Sequence, residues 1–468
     1  MRYDTCWITC RIWQEEEIIK YLKEKGAQVP FFYEQKFKMN IEELYHLFRE
    51  HPVVSTDSRN IPEGAIFLAL KGDTFDGNAF ASKALESGAS YAVIDNKKHK
   101  VNDKAILVEN VLTSLQELAN YHRNQFKIPV LAITGTNGKT TTKELIQTVL
   151  SQKYNVLFTK GNLNNHIGVP LTLLNLNNNH EIAVIEMGAN HQHEIGQLCK
   201  IAEPTHGLIT NIGKAHLEGF GGFEGVIKTK KELYEFIIQY NGTLFYNSDN
   251  ELLTGLIKYE SVRKISYGPK SGENFKGRIL DSNPFLKVEI ASNDFTIQVF
   301  SKLIGAYNFE NLMAAACVGN FFGVPAGMIK NALEEYQPSN SRSQLTVTEK
   351  NRLIVDCYNA NPSSTEVALQ NFSTMSDGEK LVILGDMLEL GTESDSEHER
   401  ILRLTQDLGL NTLFIGNQYQ HISKGYSVRC FGDVDELYNW LQQNEVKAKT
   451  ILIKGSRGIK LEKIIPLL

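Results

Sequence analysis

The sequence predicts an α/β chain of three domains. These are a small N-terminal α/β domain, a central P-loop domain with a mostly parallel sheet, and a C-terminal Rossmann-like domain. Three observations lead there. At 468 residues the chain exceeds what one ordinary core accommodates. Short apolar runs alternate with helix-length stretches in two successive tracts, the pattern of parallel sheets covered by helices. Between one such run and the helix after it lies a glycine-rich turn, residues 134–142.

Residues 1–38 read as an N-terminal extension, with two readings open: Met39 is the true start, or the segment is a dispensable extension. Their apolar part is too short and too polar for a secretory signal. From Asn40 the run Asn-Ile-Glu-Glu-Leu predicts a capped amphipathic helix that opens the first domain, 39–126. Strands are expected at 65–70 and 91–94, and a helix at 112–126. The second domain, 127–337, begins with an apolar strand at 129–133, then the glycine turn and a helix from Thr141. Further strands are expected at 182–185, 207–212 and 244–246. The polar, β-rich stretch 278–300 predicts a small antiparallel insert, followed by a buried helix at 308–322. The third domain, 338–468, has strands at 353–356, 381–384, 412–415 and 450–453.

Composition narrows the partners. Hydrophobic residues make up 42% and charged residues 22%, the balance of a globular protein. A net charge of -5 argues against a surface built to coat nucleic acid, yet leaves room for a local basic pocket. Six scattered cysteines without a CxxC pair read as reduced thiols of a cytoplasmic protein. No apolar run reaches the roughly 18 residues of a membrane span. A monomer is the default expectation.

The chemistry starts at Gly135-Thr136-Asn137-Gly138-Lys139-Thr140-Thr141, between a strand and a helix. Glycines let backbone N–H groups face phosphate oxygens, and the helix N-terminus adds a favourable dipole. Lys139 suits the β- and γ-phosphates, and the Thr140 hydroxyl suits Mg²⁺. The turn is shorter than the general Walker pattern, since Ile133 stands where the first glycine would be. Glu186 ends the strand 182–185 and is the expected second anchor for Mg²⁺. His191, His193 and His206 with Cys199 match no tight zinc spacing and read as surface or capping residues.

The run from Gly135 to Thr142 resembles the Mur ligases and folylpolyglutamate synthetases together. Four further segments resemble the Mur ligase family: 161–170 with Asn164 and Asn165, 210–218 with His216, 305–311 with Asn308 and Asn311, and 356–362 with Tyr358, Asn359 and Asn361. The last, and 384–391 (Leu-Gly-Asp-Met-Leu-Glu-Leu-Gly), resemble the family members that add D-alanyl-D-alanine to UDP-N-acetylmuramoyl-tripeptide (UDP-MurNAc-tripeptide). The resemblance runs from about residue 40 to the end.

It implies ATP as cofactor, D-Ala-D-Ala and UDP-MurNAc-tripeptide as substrates, and an acyl-phosphate intermediate. It implies two Mg²⁺ ions, one at Thr140 and Glu186, the other near Glu186 and His216. It also implies a carboxylated lysine at Lys230, with Lys228 and Lys231 as rivals. Ser58, Arg59, Lys71, Asp76 and Gly77 match the uridine-diphosphate site, where the two cations suit a diphosphate. Asn308 and Asn311 stand on one helix face and suit adenine or ribose; helix capping by Asn308 is the competing reading. Arg342 matches a phosphate-contacting arginine, although Ser341 replaces the glycine before it. Asp356 would hold ribose, and Tyr358, Asn359 and Asn361 would line the dipeptide side, with Asp386 and Glu389 facing the same cleft. Lys454 and Arg457 suit either a carboxylate or a structural turn. Domain closure is expected to bring Arg342 and Asp356 onto the nucleotide. A sister ligase adding a single or diamino acid, and a non-catalytic nucleotide-binding scaffold, are the alternatives.

Overall fold

A computed structural model describes residues 39–269, 275–338, 342–376 and 378–468. The N-terminal extension, with Cys6 and Cys10, and Ser341 lie outside the described residues. The chain forms two compact units, Met1–His122 and Arg123–Leu468.

In the first unit, Asn40 caps the helix Ile41–Glu50. Its side chain accepts from the Glu43 N–H, and the Glu43 carboxylate accepts from the Asn40 N–H. Leu44 and Phe48, one turn apart, are buried. Strands β1 (Val54–Ser55), β2 (Ile66–Leu68), β5 (Tyr91–Ile94) and β6 (Ala105–Leu107) form a parallel sheet in the order β1-β2-β5-β6. A two-stranded hairpin, β3 (Lys71–Gly72) with β4 (Phe75–Asp76), follows β2.

The second unit carries two six-stranded sheets. In the first, β7 (Val130–Thr134), β8 (Val156–Phe158), β9 (Ile182–Glu186), β10 (His206–Ile209), β11 (Thr243–Asn247) and β12 (Arg263–Tyr267) are all parallel. Their order is β12-β11-β10-β7-β9-β8. Every residue of β7 and β9 is buried, because helices cover both faces of a parallel sheet. The predicted insert is an antiparallel sheet of β13 (Phe275–Asp281), β14 (Phe285–Ser292) and β15 (Thr296–Ile304). The helix Asn308–Phe321 is apolar from Leu312 to Val318, where it packs against the helix Lys139–Leu150 and strands β11 and β14 in one core.

The other six-stranded sheet has the order β16-β17-β21-β18-β19-β20. It comprises β16 (Gln344–Val347), β17 (Arg352–Asp356), β18 (Glu379–Gly385), β19 (Thr412–Ile415), β20 (Arg429–Phe431) and β21 (Lys449–Lys454). Only the edge strand β16 is antiparallel. Among the described residues, no helix is long and apolar enough to cross a membrane.

Two expectations change in detail. The helix after the glycine turn begins at Lys139 rather than Thr141, because Gly138, at φ 76°, turns the chain directly into it. The strand expected to reach residue 212 ends at Ile209, where Thr210 and Asn211 turn their side chains onto the glycine loop.

Candidate active site

The loop after β7 sits where the sheet order reverses, with β10 on one side and β9 on the other. Its shape depends on two glycines. A Cβ on Gly135 (φ 145°) would stand 2.0 Å from the Thr210 hydroxyl oxygen, and one on Gly138 would stand 2.7 Å from Asn311 Oδ1. Asn211 ties the loop down. Its carbonyl accepts from the Thr136 N–H, its Oδ1 accepts from the Asn137 N–H, and its Nδ2 donates to the Asn137 carbonyl. Lys139 folds back and donates to the carbonyls of Gly135 (2.8 Å) and Thr136 (2.9 Å). Removal from water pushes its ammonium down to about 8, with Glu186 opposing that shift and Arg342 adding to it.

Glu186, at the end of β9, is 1% exposed. Its Oε1 accepts from Thr140 Oγ1 (3.1 Å) and Asn164 Nδ2 (2.7 Å), while its Oε2 has no hydrogen-bond partner. Lys143 Nζ, bonded to the Thr159 carbonyl, lies 3.9 Å from that Oε2. His216 adopts the left-handed conformation (φ 51°) and its Nδ1 meets the Glu389 carboxylate. That contact holds the Glu389 carboxyl below the usual glutamate range. Of the three lysines in the helix Phe223–Gln239, Lys230 alone is buried; Lys228 is exposed, and Lys231 pairs with Glu235 at 3.1 Å. Burial, reinforced by nearby Lys139, lowers the Lys230 ammonium well below the ordinary lysine range.

The C-terminal sheet supplies the facing wall from the ends of β17 and β21. Asp356 accepts from Lys454 Nζ at 2.7 Å. The Arg342 guanidinium lies 3.8 Å from the centre of the Tyr358 ring, and its Nε is buried without a hydrogen-bond partner. Asn361 caps the helix Pro362–Thr374 and donates from Nδ2 to Asn137 Oδ1, so the cap touches the phosphate loop itself. Lys214 reaches across likewise, its N–H to Ser363 Oγ and its Nζ to Glu397 at 2.6 Å. The phosphate loop, Glu186, His216, Arg342, Asp356, Tyr358 and Asn361 line a cavity of about 940 Å³ together with Asn165, Asn308, Asn311, Asn359 and Glu389, whereas Lys143, Lys214 and Lys230 do not line it. Arg342 and Asp356 thus already share the cavity with the phosphate loop in this structure.

Other expected residues have different surroundings. Asp386 does not face the cleft. It is buried and accepts from the N–H groups of Gln418 and Tyr419, capping the helix Asn417–Ile422. Asn308 is not a cap either; the cap position is Tyr307. Instead Asn308 donates to the Ile304 carbonyl, Asn311 donates to Asn308, and Thr142 donates to Asn311, a chain that pins the helix to the loop. His191 and His193 flank the start of the helix Glu194–Ala202 beside Glu194 and Glu232. Cys199 is buried against Met187, and His206 begins β10 among Phe245, Phe321 and Phe322.

In the first unit, Ser58 and Arg59 follow β1, and Lys71, Asp76 and Gly77 follow β2, all at the carboxyl ends of parallel strands. Arg59 makes a two-pronged pair with Asp57 (2.8 and 2.9 Å), and Lys71 pairs with Asp95 at 2.7 Å. Asp76 is bonded to Asn78, which also binds Asp95 and Asn96 and fastens the turn. Gly77 has a packing reason: a Cβ there would stand 2.2 Å from the Leu70 carbonyl.

Sequence reasoning missed Lys143, and it placed Asn211 in the segment 210–218 without giving it a role at the loop. Lys143 carries a signal, four residues after Lys139 on the same helix face. The contacts of Asn211 with the loop were not readable, because they depend on the register of β10 against β7.

A phosphate loop, a buried carboxylate and a second parallel-sheet wall around one cavity define the class: an ATP-dependent ligase built on a P-loop domain and a Rossmann-like domain. Sequence comparison matches the Mur ligase family catalytic domain at residues 50–131, the Mur ligase middle domain at 133–319, and the Mur ligase glutamate ligase domain at 341–457. The chain belongs to the Mur ligase family. UDP-N-acetylmuramoyl-tripeptide–D-alanyl-D-alanine ligase of Bacillus subtilis is 33% identical over 88% of this chain and 92% of its own length. The protein of the same name from Escherichia coli is 34% identical with the same coverage. Among solved structures, MurF from Acinetobacter baumannii superposes with a TM-score of 0.80 at 31% identity, covering 88% of this chain and 92% of its own. MurF from Thermotoga maritima in complex with ADP gives 0.78 at 27% identity, covering 89% and 96%. The α/β three-domain Mur ligase architecture expected from sequence is therefore present.

Proposed function

We propose that this chain joins D-alanyl-D-alanine to UDP-MurNAc-tripeptide, converting ATP to ADP and phosphate, in the peptidoglycan synthesis of its cell. One observation carries the reading. The phosphate loop and Glu186 share a cavity with Tyr358, Asn359, Asn361 and Glu389, from the two segments that resemble the dipeptide-adding members. The tripeptide's terminal carboxylate attacks the γ-phosphorus, the bond to ADP breaks, and an acyl phosphate forms. The dipeptide's amine then attacks the acyl carbon, loses a proton, and expels phosphate.

Several anions meet here, so catalysis is mostly positioning and charge stabilisation. In this reading the loop from Gly135 to Thr141 cradles the phosphates, and Lys139 exchanges its two carbonyl partners for phosphate oxygens. Arg342, whose Nε lacks a partner, supplies a second cation beside Lys139. Asn308 and Asn311 face the base and ribose, and Asp356 a ribose hydroxyl. Thr140 Oγ1 and the orphaned Glu186 Oε2 fit a hard, oxygen-seeking cation. Mg²⁺ held there, with a second ion between Glu186 and His216, would neutralise charge on the phosphates. Lys230 fits the carboxylated lysine, because only a neutral amine adds carbon dioxide and burial holds this one neutral more readily than exposed Lys228 or half-buried, ion-paired Lys231. Asn164 orients Glu186, and Asn165 borders the same cavity.

Ser58, Arg59, Lys71, Asp76 and Gly77 would receive the uridine diphosphate, with Arg59 and Lys71 exchanging carboxylates for phosphates. Domains at 39–126, 127–337 and 338–468 after a dispensable extension, a cytoplasmic location and a monomeric state complete the proposal. The test is phosphate release from ATP with UDP-MurNAc-tripeptide, comparing D-Ala-D-Ala with single amino acids. Release with the dipeptide supports the reading. Release only with a diamino acid and UDP-MurNAc-dipeptide would replace it with the sister ligase.

A further inference from the structure

The cations lining the cavity are not equivalent. Lys139 rests on two loop carbonyls, and Lys454 is paired with Asp356. Arg342 is close enough to Lys139 to depress its ammonium and lies against Tyr358. Arg457, like Arg342, has an aromatic neighbour and no carboxylate partner among the described residues, but it stands away from the phosphate loop. It is exposed, lines the cavity, and stands just beyond β21 with its guanidinium carbon 5.6 Å from the centre of the same Tyr358 ring.

Two cations therefore share one ring, the first near Lys139 of the phosphate loop and the second just beyond β21. The dipeptide's amine must reach the acyl carbon, next to the phosphate being released. Its far end lies about 7 Å away, two extended residues on, and is a carboxylate. An anion leaving water for a cavity needs a cation with directed donors, and a guanidinium offers two parallel N–H groups to a carboxylate. Contact with Tyr358 restrains the Arg457 fork before any ligand arrives.

The geometry points to Arg457 as the residue that receives the terminal carboxylate of the incoming dipeptide. It thereby measures the dipeptide's length, since a single amino acid presents its carboxylate one residue short. This assignment rests on the dipeptide-adding function proposed above.

The experiment is steady-state kinetics of the full chain with D-Ala-D-Ala and with its C-terminal amide, for wild type, Arg457→Gln and Arg457→Lys. The wild type must first turn over D-Ala-D-Ala; if it does not, the parent reading fails and this one with it. If it does, Arg457→Gln raises the KM for D-Ala-D-Ala about tenfold to a hundredfold, the worth of a charge-assisted hydrogen bond. The KM values for ATP and UDP-MurNAc-tripeptide stay within about twofold of wild type. Arg457→Lys recovers part of the loss, and the difference between wild type and Arg457→Gln disappears with the amide. An equal loss on acid and amide, or a shift confined to the KM for ATP, would overturn the assignment while leaving the parent reading intact.

Discussion

Replacing Lys139 by Met separates what the residue contributes to chemistry from what it costs the fold. The lysine is held at about 8, against 10.5 for a free side chain, chiefly because it is removed from water. That difference corresponds to about 3 kcal/mol against the charged form at pH 7. Methionine has a similar volume and no charge, so the penalty vanishes. The carbonyls of Gly135 and Thr136 each lose a donor, at about 1 kcal/mol apiece. Net stability should rise by about 1 kcal/mol, or a few degrees in Tm. Turnover, measured as phosphate release, should fall by at least about a thousandfold, because the phosphates lose their central cation. The sign of the pH dependence follows from the lowered folded-state value. Between about pH 8 and 10.5 the unfolded chain binds more protons at this site, so wild-type stability rises with pH there. The advantage of Lys139→Met should therefore shrink to nothing within that window and reverse to a deficit of about 2 kcal/mol above it, where only the two lost hydrogen bonds count. Denaturation of both proteins from pH 7 to 10.5 is the assay. A variant less stable than wild type at pH 7, a pH-independent difference, or retained turnover would refute the reasoning.

Glu186→Gln keeps the size of the side chain but removes the charge from its orphaned oxygen; phosphate release should fall at least about a hundredfold and need more Mg²⁺, and a Mg²⁺ titration matching wild type would contradict the metal assignment. Lys230→Ala should be nearly inactive and regain turnover when short carboxylic acids are added, whereas wild-type activity without them would move the carbamate elsewhere. Gly135→Ala places a methyl 2.0 Å from the Thr210 oxygen at a backbone angle that favours glycine; it should cost about 2 kcal/mol or more and weaken ATP binding, both read by thermal melts with and without nucleotide. Arg59→Ala should raise the KM for UDP-MurNAc-tripeptide about tenfold while leaving that for ATP unchanged, and an unaltered value would remove Arg59 from the diphosphate site.

The construction of the cavity explains why ATP and a facing domain belong together here. Asn361 bonds to Asn137, Lys214 to Glu397, and His216 to Glu389. Each contact joins a residue at or near a P-loop-domain strand end to one from the C-terminal wall. The glycine loop after β7 is therefore also a surface on which the wall rests. These contacts are polar and few, in contrast to the apolar cores on either side.

Local chemistry accounts for what was legible in the sequence. Apolar runs with helical spacing between them announced two parallel sheets, because a strand buried on both faces must be apolar throughout. The glycines of the phosphate loop were readable because their backbone angles exclude other residues, and Asn40 because a capping box is written within four positions. Which lysine is buried was not readable: Lys228, Lys230 and Lys231 are chemically alike, and only the packing of the helix Phe223–Gln239 separates them. Nor could Asp386 be told from Glu389. Both follow one strand, yet Asp386 turns inward to cap a helix 31 residues on, while Glu389 reaches His216. By sequence Asn308 suits adenine or ribose, with capping as the competing reading; in the structure its amide bonds the strand before it and the helix it begins. Backbone conformation and apolar periodicity are encoded over a few neighbouring residues. Burial of a charge and the choice of a polar partner depend on contacts between distant segments, and only the tertiary structure decides those.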